Sequence, residues 1–310
     1  MSLRVAYLGN DRWSVPPMRA VASTPGLELG LVITRTPRPG RRGADPSPTP
    51  VAHTARTMGL PTAEVESVRA GDGLRLLREH APDVLVVVAY GEILPAAVLD
   101  IPHLGAVNLH FSLLPRWRGA SPVQHALLAG DPETGVTTIL IDEGLDTGPI
   151  LARQPTLVEE GEDAGRLGDR LSEMGGALLA RTLTDLAAGR AVPSAQGETG
   201  ATYAPKLTAV DRRIDWNRAA WEIVARIRAL SPRPGASTLH SDRVLKVLTA
   251  SSSGGSGEPG TILQIGDDWF DVATGEAAVR VLKVGPEGRP HMEVGAWLHG
   301  AHLAVGERLG

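Results

Sequence analysis

The chain is 310 residues long, enough for two domains that each have a hydrophobic core, and 42% of its residues are hydrophobic. It contains no cysteine, which excludes disulfides, thiolate metal sites and a cysteine nucleophile. The formal net charge of -4 does not by itself indicate a nucleic-acid partner. No apolar run reaches the roughly 18 residues of a membrane span, and the first residues show no signal-peptide pattern. These properties predict a cytoplasmic protein.

Short apolar runs alternate with helix-like segments over residues 1–190. The run DVLVVVAY at 83–90 is rich in β-branched residues, which is typical of a strand buried on both faces of a parallel sheet. Further strands are predicted at 3–8 and 29–33, and helices at 73–80 and 122–129. This alternation predicts an α/β domain built on an open parallel sheet with right-handed crossovers.

The sequence changes character after residue 190. Residues 191–209 are polar and rich in Gly and Pro, and we interpret them as a linker between domains. A helix is predicted at 217–230, where apolar residues recur at helical spacing. Short strand-like runs with turn signals between them follow this helix, which predicts a small C-terminal OB-like β-barrel over residues 210–310.

Several common motifs are missing from the sequence. Gly9-Asn10-Asp11 follows the first strand, but it is not the Gly-x-Gly-x-x-Gly turn that binds a dinucleotide phosphate. A P-loop, a His-Glu-x-x-His zinc motif and a Gly-x-Ser-x-Gly nucleophile elbow are also missing. Nicotinamide chemistry, nucleotide hydrolysis, zinc proteolysis and serine esterase chemistry therefore lose their usual support in the sequence.

An amide, an imidazole and a carboxylate occur together between residues 105 and 148. If Asn108 and His110 lie on one strand, they project from the same face, because side chains alternate along a strand. The carboxyl end of a parallel strand is where open α/β sheets bind ligands. Asp146 follows in a polar loop between two strand-like runs. Taken alone, these residues are more simply explained as buried polar groups that bond to backbone and as a turn aspartate.

Two other segments suggest ligand contacts. Residues 112–115 form a Ser-Leu-Leu-Pro corner whose proline restricts the preceding residue. Such a corner can present backbone groups to a flat heterocycle, although a purely structural turn has the same sequence. Residues 34–43 carry four arginines on a Gly/Pro-rich loop, which is either a local positive field for a ligand or a solvated loop.

A longer pattern resembles a known family. Asn-Leu-His-x-Ser-Leu-Leu-Pro-x-x-Arg-Gly-Ala-x-Pro, followed by GDPETGVT and GLDTG, resembles the formyltransferases that use 10-formyltetrahydrofolate, and the likeness extends to VVVAYGEILP at 86–95. It implies a Rossmann-like catalytic domain over residues 1–190 in which Asn108, His110 and Asp146 form the catalytic triad. It implies no metal. The folate-binding residues that it implies are Ser112, Leu113, Leu114, Pro115, Ala89, Tyr90, Gly91, Ile93 and Leu94.

The C-terminal part, with segments such as TYAPKLT, GTILQIG and GERLG, resembles the barrel of the formyltransferases that act on methionyl-tRNA. The resemblance covers essentially the whole chain. It implies an enzyme of the bacterial cytosol that formylates the α-amine of initiator methionyl-tRNA for translation initiation. A monomer is the default expectation for its oligomeric state. The implied tRNA contacts are Arg38, Arg41, Arg42 and Lys206.

Three alternatives differ in acceptor or class. A sugar-nucleotide amine N-formyltransferase performs the same chemistry on another amine, and a formyltetrahydrofolate hydrolase transfers the formyl group to water. A non-enzymatic nucleic-acid-binding protein would use the barrel but has no need for the triad. This chain departs from the family pattern in two places: its arginine-rich loop is shorter, and Gly9-Asn10-Asp11 replaces the usual Gly-Thr-Pro after the first strand.

The predicted chemistry is direct transfer without a covalent enzyme intermediate, because a neutral amine is already a nucleophile. Asn108 and a protonated His110 are expected to donate hydrogen bonds to the oxyanion that develops on the formyl group. Asp146 is expected to favour the protonated imidazole and to assist removal of the amine proton, directly or through water.

Overall fold

The computed structural model describes residues 2–37 and 47–310. The predicted tRNA contacts Arg38, Arg41 and Arg42 lie outside the described residues. Within the described residues, no helix has the length and apolar character needed to cross a membrane. The chain divides into two compact units. The first comprises the residues up to Pro122, Glu133–Leu157 and Gly168–Ala204, and the second comprises Val123–Pro132, Val158–Leu167 and Pro205–Gly310.

A seven-stranded sheet forms the centre of the first unit. Its strands are β1 (Leu3–Gly9), β2 (Leu27–Arg35), β3 (Thr62–Val65), β4 (Val84–Val88), β5 (Ala106–His110), β6 (Glu133–Leu140) and β7 (Ile150–Leu157). They lie in the order β3-β2-β1-β4-β5-β6-β7. Strands β1 to β5 are parallel, and β6 and β7 are antiparallel to their neighbours. The first helices of the chain are α1 (Val15–Ser23), α2 (Pro50–Thr57), α3 (Gly71–His80), α4 (Ala96–Leu99), α5 (Pro122–Leu128) and α6 (Ala164–Ala187).

The order of the sheet reverses at β1, since β2 and β3 lie on one side of it and β4 and β5 on the other. In open α/β sheets, such a switch point opens a crevice at the carboxyl ends of the strands. All residues of β4 are buried, as its β-branched run predicts for a central strand. The α/β prediction for this half of the chain is confirmed, and the carboxyl edge of the sheet is where the candidate site lies.

The second unit contains a six-stranded antiparallel sheet. Its strands are β8 (Ala236–His240), β9 (Arg243–Ser253), β10 (Ile262–Ile265), β11 (Phe270–Ala273), β12 (Ala278–Pro286) and β13 (Met292–Glu293), and the helices after α6 are α7 (Ala220–Leu230) and α8 (Val294–Ala301). The order is β10-β11-β12-β9-β8, with β13 on β12. The helix predicted at 217–230 therefore forms, starting three residues later.

The predicted C-terminal β-structure is present, but the sheet is open and does not close into a barrel among the described residues. Its edges pair with irregular segments instead of with each other: Arg213 pairs with Ser237 beside β8, and Thr261 pairs with Arg308 beside β10. One face of the sheet is covered by a core that includes residues of α7 and α8. Burial of this apolar face stabilises the unit without barrel closure.

Candidate active site

Asn108, His110 and Asp146 converge at the carboxyl end of β5. Asn108 and His110 are two residues apart on this strand and therefore share a face. The Nδ2 atom of Asn108 donates to Oδ1 of Asp146 at 3.1 Å, and Nδ1 of His110 lies 3.6 Å from Oδ2 of Asp146. The side chains of His110 and Asp146 are 5% and 15% exposed. Because water is largely kept from these groups, their electrostatic interactions are stronger than those of surface charges.

The orientation of His110 is set by a backbone carbonyl. Its Nε2 atom lies 2.8 Å from the carbonyl oxygen of Trp117. Because a carbonyl oxygen only accepts, Nε2 carries a proton and donates it in this bond. The 3.6 Å separation between Nδ1 and Asp146 is longer than a hydrogen bond. Nδ1 is therefore the ring nitrogen that remains available to a ligand.

Asp146 adopts a backbone conformation that L-residues rarely occupy, with a φ of 54°. The backbone N–H of Gly119 donates to its Oδ2 atom at 2.8 Å. The side-chain amide of Gln196 donates to the carbonyl oxygens of Asp146 and Gly148 at 2.8 and 2.7 Å. The carboxylate is thus oriented both through its own oxygens and through the backbone that carries it.

Part of the segment predicted as a linker lies against this site. Up to Ala204 the segment belongs to the first unit. The N–H of Trp117 donates to Oγ1 of Thr202 at 2.9 Å, and the N–H of Ala204 donates to the carbonyl of Arg118 at 2.7 Å. Sequence reasoning missed these residues and Gln196, because scattered polar side chains that bond to backbone groups have no recognisable spacing.

Arg118 contacts Gln196. The sequence patterns predicted no role for this arginine either. Its side chain is only 1% exposed. Its Nε atom donates to Oε1 of Gln196 at 3.2 Å, and its terminal nitrogens lie 3.3 Å from a carboxylate oxygen of Glu198. A buried guanidinium needs such partners, since an unpaired buried charge is strongly unfavourable.

The predicted Ser-Leu-Leu-Pro corner follows β5 directly. Ser112 and Leu114 are buried, whereas Leu113 and Pro115 are half-buried. The Oγ1 atom of Thr137 donates to the carbonyl of Ser112 at 2.6 Å and accepts from the N–H of Leu114 at 3.2 Å. Two of the backbone groups of the corner are therefore used internally, and Leu113 and Pro115 are the side chains with surface left for a ligand.

The second predicted folate segment follows β4, the neighbouring strand. Ala89, Gly91 and Ile93 are exposed, whereas Tyr90 and Leu94 are buried. Ile93 is 73% exposed, so its side chain has apolar surface left for a ligand. Burial, followed by the charge of Glu92, raises the pKa of the Tyr90 hydroxyl well above its ordinary value, so this hydroxyl stays neutral.

The unusual turn after β1 connects three segments of this edge. Asn10 donates to the carbonyl oxygen of Tyr90. Its Oδ1 atom accepts from Oγ1 of Thr34 at 2.9 Å and from the N–H of Arg35 at 2.8 Å. Asn10 therefore fixes the end of β2 to the loop that follows β4. Of the predicted tRNA contacts, the structure describes Lys206, which is exposed and lies in the second unit.

Among the described residues, no group of three or more His, Asp or Glu side chains is arranged to hold a metal ion. An amide, an imidazole and a carboxylate at the carboxyl edge of a Rossmann-like sheet define a site suited to acyl transfer to a nucleophilic substrate. The family model "Formyl transferase" matches residues 9–183, and the model "Formyl transferase, C-terminal domain" matches residues 206–302. The chain is thus an enzyme that transfers formyl groups.

The relatives identify the family more closely. A protein of Methylobacterium sp. (strain 4-46) named methionyl-tRNA formyltransferase is 42% identical over 313 residues and matches 100% of both chains. A protein of Halorhodospira halophila with the same name is 41% identical over 309 residues and matches 99% of both chains. The chain belongs to the methionyl-tRNA formyltransferase family.

Solved structures share the fold at much lower identity. The N-formyltransferase from Helicobacter canadensis, in complex with folinic acid and dTDP-3-aminofucose, has a TM-score of 0.65 at 15% identity, covering 90% of this chain and 98% of that one. HypX from Aquifex aeolicus in complex with tetrahydrofolic acid has a TM-score of 0.64 at 17% identity, covering 97% of this chain and 47% of that one. At these identities the likeness concerns the fold.

Proposed function

We propose that this protein transfers the formyl group of 10-formyltetrahydrofolate to the α-amine of initiator methionyl-tRNA. One observation carries the proposal. The amide of Asn108, the imidazole of His110 and the carboxylate of Asp146 meet at the end of β5, in a chain 42% identical over its full length to a protein named for this reaction. We further propose that the enzyme acts as a monomer in the bacterial cytosol and uses no metal.

We place the flat heterocycle of the donor at the edge formed by the loops after β4 and β5. Ile93 offers an exposed apolar side chain, and Leu113 and Pro115 are partly exposed on the neighbouring loop. Ligand sites commonly combine such apolar walls with a few fixed polar groups. 10-Formyltetrahydrofolate, when bound there, supplies the carbonyl carbon that the amine attacks. The proposed folate site is completed by Ala89, Tyr90, Gly91, Leu94, Ser112 and Leu114.

Asn108 and His110 supply the hydrogen-bond donors for the charge that develops on the formyl oxygen. The amide of Asn108 has two N–H groups, one of which is used by Asp146, so the other can donate to the formyl oxygen. His110 is held through Nε2, so its protonated Nδ1 is the atom that donates. Donors fixed before the reaction stabilise such charge without reorganisation, which is usually the largest single contribution to catalysis.

Asp146 carries the negative charge that balances a cationic His110 and accepts the proton of the amine. Its Oδ2 atom lies 3.6 Å from Nδ1 of His110. As the new bond forms between the amine nitrogen and the formyl carbon, the amine loses one proton to the carboxylate, directly or through water. The bond from the formyl carbon to the folate nitrogen then breaks, and that nitrogen takes up the proton. No covalent enzyme intermediate is needed.

The tRNA would be held by basic residues outside this chemistry. Lys206 is exposed and lies in the second unit, and Arg38, Arg41 and Arg42 belong to the arginine-rich segment of the sequence. Lysine and arginine side chains bind phosphate groups without regard to base sequence and make the affinity depend on salt. We therefore assign these four residues to binding of the tRNA rather than to the transfer step.

An acceptor competition tests this proposal. The purified protein is incubated with 10-formyltetrahydrofolate together with methionyl-initiator tRNA and a nucleotide-linked amino sugar, and mass spectrometry identifies the formylated amine. Uncharged tRNA serves as the control, because it lacks the α-amine. Formylation of the methionyl group alone is the expected result. Formylation of the sugar amine, or loss of formyl groups to water with neither amine modified, would contradict the proposed acceptor.

A further inference from the structure

We propose that Gln196 is a positioning residue that holds Asp146 in its reactive orientation, an inference that rests on the proposed function. Gln196 lies in the segment that the sequence presents as a linker. From residue 192 to residue 200, all of which are described, Gln196 alone is partly shielded from solvent. Its side chain is therefore directed inward from an otherwise exposed stretch.

Both amide hydrogens of Gln196 are used on the loop that carries Asp146. Its Nε2 atom donates to the carbonyl oxygens of Asp146 and Gly148, at 2.8 and 2.7 Å. Asp146 has a φ of 54°, a left-handed conformation that aspartate adopts more readily than most non-glycine residues but that its surroundings still have to enforce. Hydrogen bonds to the carbonyls on both sides of Thr147 provide that enforcement.

Arg118 fixes which way the amide of Gln196 points. The Oε1 atom of Gln196 accepts from Nε of Arg118 at 3.2 Å, so a flipped amide would place donors against the guanidinium. Arg118 itself is held by Glu198 and by backbone hydrogen bonds to Thr202 and Ala204. The site thus requires one acceptor facing the guanidinium and two donors facing the loop, a combination that glutamine has and glutamate lacks.

The consequence for the reaction lies in the position of the Asp146 carboxylate. One of its oxygens accepts from Asn108 at 3.1 Å and the other from Gly119 at 2.8 Å. If the backbone at residue 146 relaxes from the left-handed region, the carboxylate swings away from both donors and from His110. A displacement of about 1 Å at a reacting group lowers the rate by up to about a hundredfold.

The test uses Gln196→Glu and Gln196→Ala, with Thr199→Ala as an exposed control in the same stretch. Gln196→Glu keeps the size of the side chain and an acceptor for Arg118 but removes both donors. We expect kcat to fall between about tenfold and a hundredfold, with KM for the folate donor and for methionyl-tRNA within about twofold of wild type. Thr199→Ala is expected to behave as wild type. Circular dichroism and thermal unfolding verify that each variant is folded.

A double-mutant cycle with Asp146→Asn separates positioning from a general structural role. If Gln196 acts through the carboxylate, its substitution lowers kcat strongly in the wild-type background and scarcely further in the Asp146→Asn background. An equal fall in both backgrounds, or wild-type turnover by Gln196→Glu, overturns the inference while leaving the proposed function in place. Wild-type turnover by Asp146→Asn overturns the role of the carboxylate and this inference with it, whereas a wild-type protein that does not formylate methionyl-tRNA overturns the proposed function. If Gln196→Ala does not fold, Gln196→Glu alone decides.

Discussion

Replacing Asp146 by asparagine removes one negative charge and changes the size of the side chain very little. Asparagine also tolerates the left-handed backbone conformation at this position, so the fold of the loop is expected to persist. An amide has a single acceptor oxygen. It can therefore accept from Asn108 or from the N–H of Gly119, but it cannot satisfy both as the carboxylate does.

The expected size of the effect follows from the distance to His110. At 3.6 Å between Nδ1 and Oδ2, two opposite unit charges attract by about 4 to 5 kcal/mol at an effective dielectric constant of about 20. Residual solvent at the partly exposed carboxylate reduces this value. Removal of one group that stabilises transition-state charge commonly lowers turnover by about a hundredfold or more. We therefore expect the single-turnover rate constant of Asp146→Asn to be lower by at least about a hundredfold.

The assay is single-turnover formylation of methionyl-tRNA at saturating folate donor, with tRNA affinity measured separately. The control is Asp142→Asn, the same chemical change in the same loop. Asp142 is exposed and accepts from Gly144 and Thr147, not from the site. Asp142→Asn is expected to keep wild-type turnover. Turnover by a folded Asp146→Asn variant within a few-fold of wild type would refute the role assigned to the carboxylate.

Three further predictions concern the donor, the acceptor and stability. Ile93→Ser raises KM for 10-formyltetrahydrofolate about tenfold, because it removes an apolar contact of about 1.5 kcal/mol. The melting temperature stays unchanged, since Ile93 is 73% exposed. An unchanged KM in steady-state kinetics would contradict the proposed folate site. The double substitution Arg41→Ala and Arg42→Ala weakens the use of methionyl-tRNA and makes it depend less on salt. Kinetics that match those of wild type over a salt series would exclude a role of the arginine-rich segment in tRNA binding. The N–H of Arg4 donates to Asp83 at 2.8 Å, which lowers the pKa of Asp83. This stabilisation is complete above the unfolded pKa of about 3.9 and is lost as the pH falls through the lower folded-state pKa. Asp83→Asn thus lowers the free energy of unfolding by about 1 kcal/mol at neutral pH, and in denaturant titrations the difference shrinks on acidification; a difference independent of pH contradicts the assignment.

The sequence predicts those parts of the fold in which a repeating physical rule acts on consecutive residues. The β-branched run at 83–90 contains β4, and the apolar positions at 217–230 contain α7. The same rule places Asn108 and His110 on one face of β5, because the side-chain period of a strand is two. Asp146 is 36 residues beyond His110 in the chain. No spacing rule predicts that the two residues lie close together, and only the family pattern indicates it.

Features that depend on single contacts between distant residues have no such pattern. Gln196 and Arg118 orient Asp146 through hydrogen bonds to backbone and side-chain atoms, yet the stretch around Gln196 has the Gly, Pro and polar composition of a linker. Barrel closure likewise has no pattern in the sequence, because it depends on whether the edge strands β8 and β10 pair with each other or with other segments. Strand-like runs in the sequence predict the strands but not their edges.

Our central proposal is that the site of Asn108, His110 and Asp146 transfers a formyl group to methionyl-tRNA. The decisive experiment compares wild type and His110→Ala in single-turnover formylation of methionyl-initiator tRNA by 10-formyltetrahydrofolate, with tRNA binding measured in parallel. We predict rapid formylation by wild type, a fall of about a hundredfold or more in the variant, and nearly equal tRNA affinity. A wild-type enzyme that leaves the methionyl amine unmodified, or a variant that formylates it at the wild-type rate, would contradict this proposal.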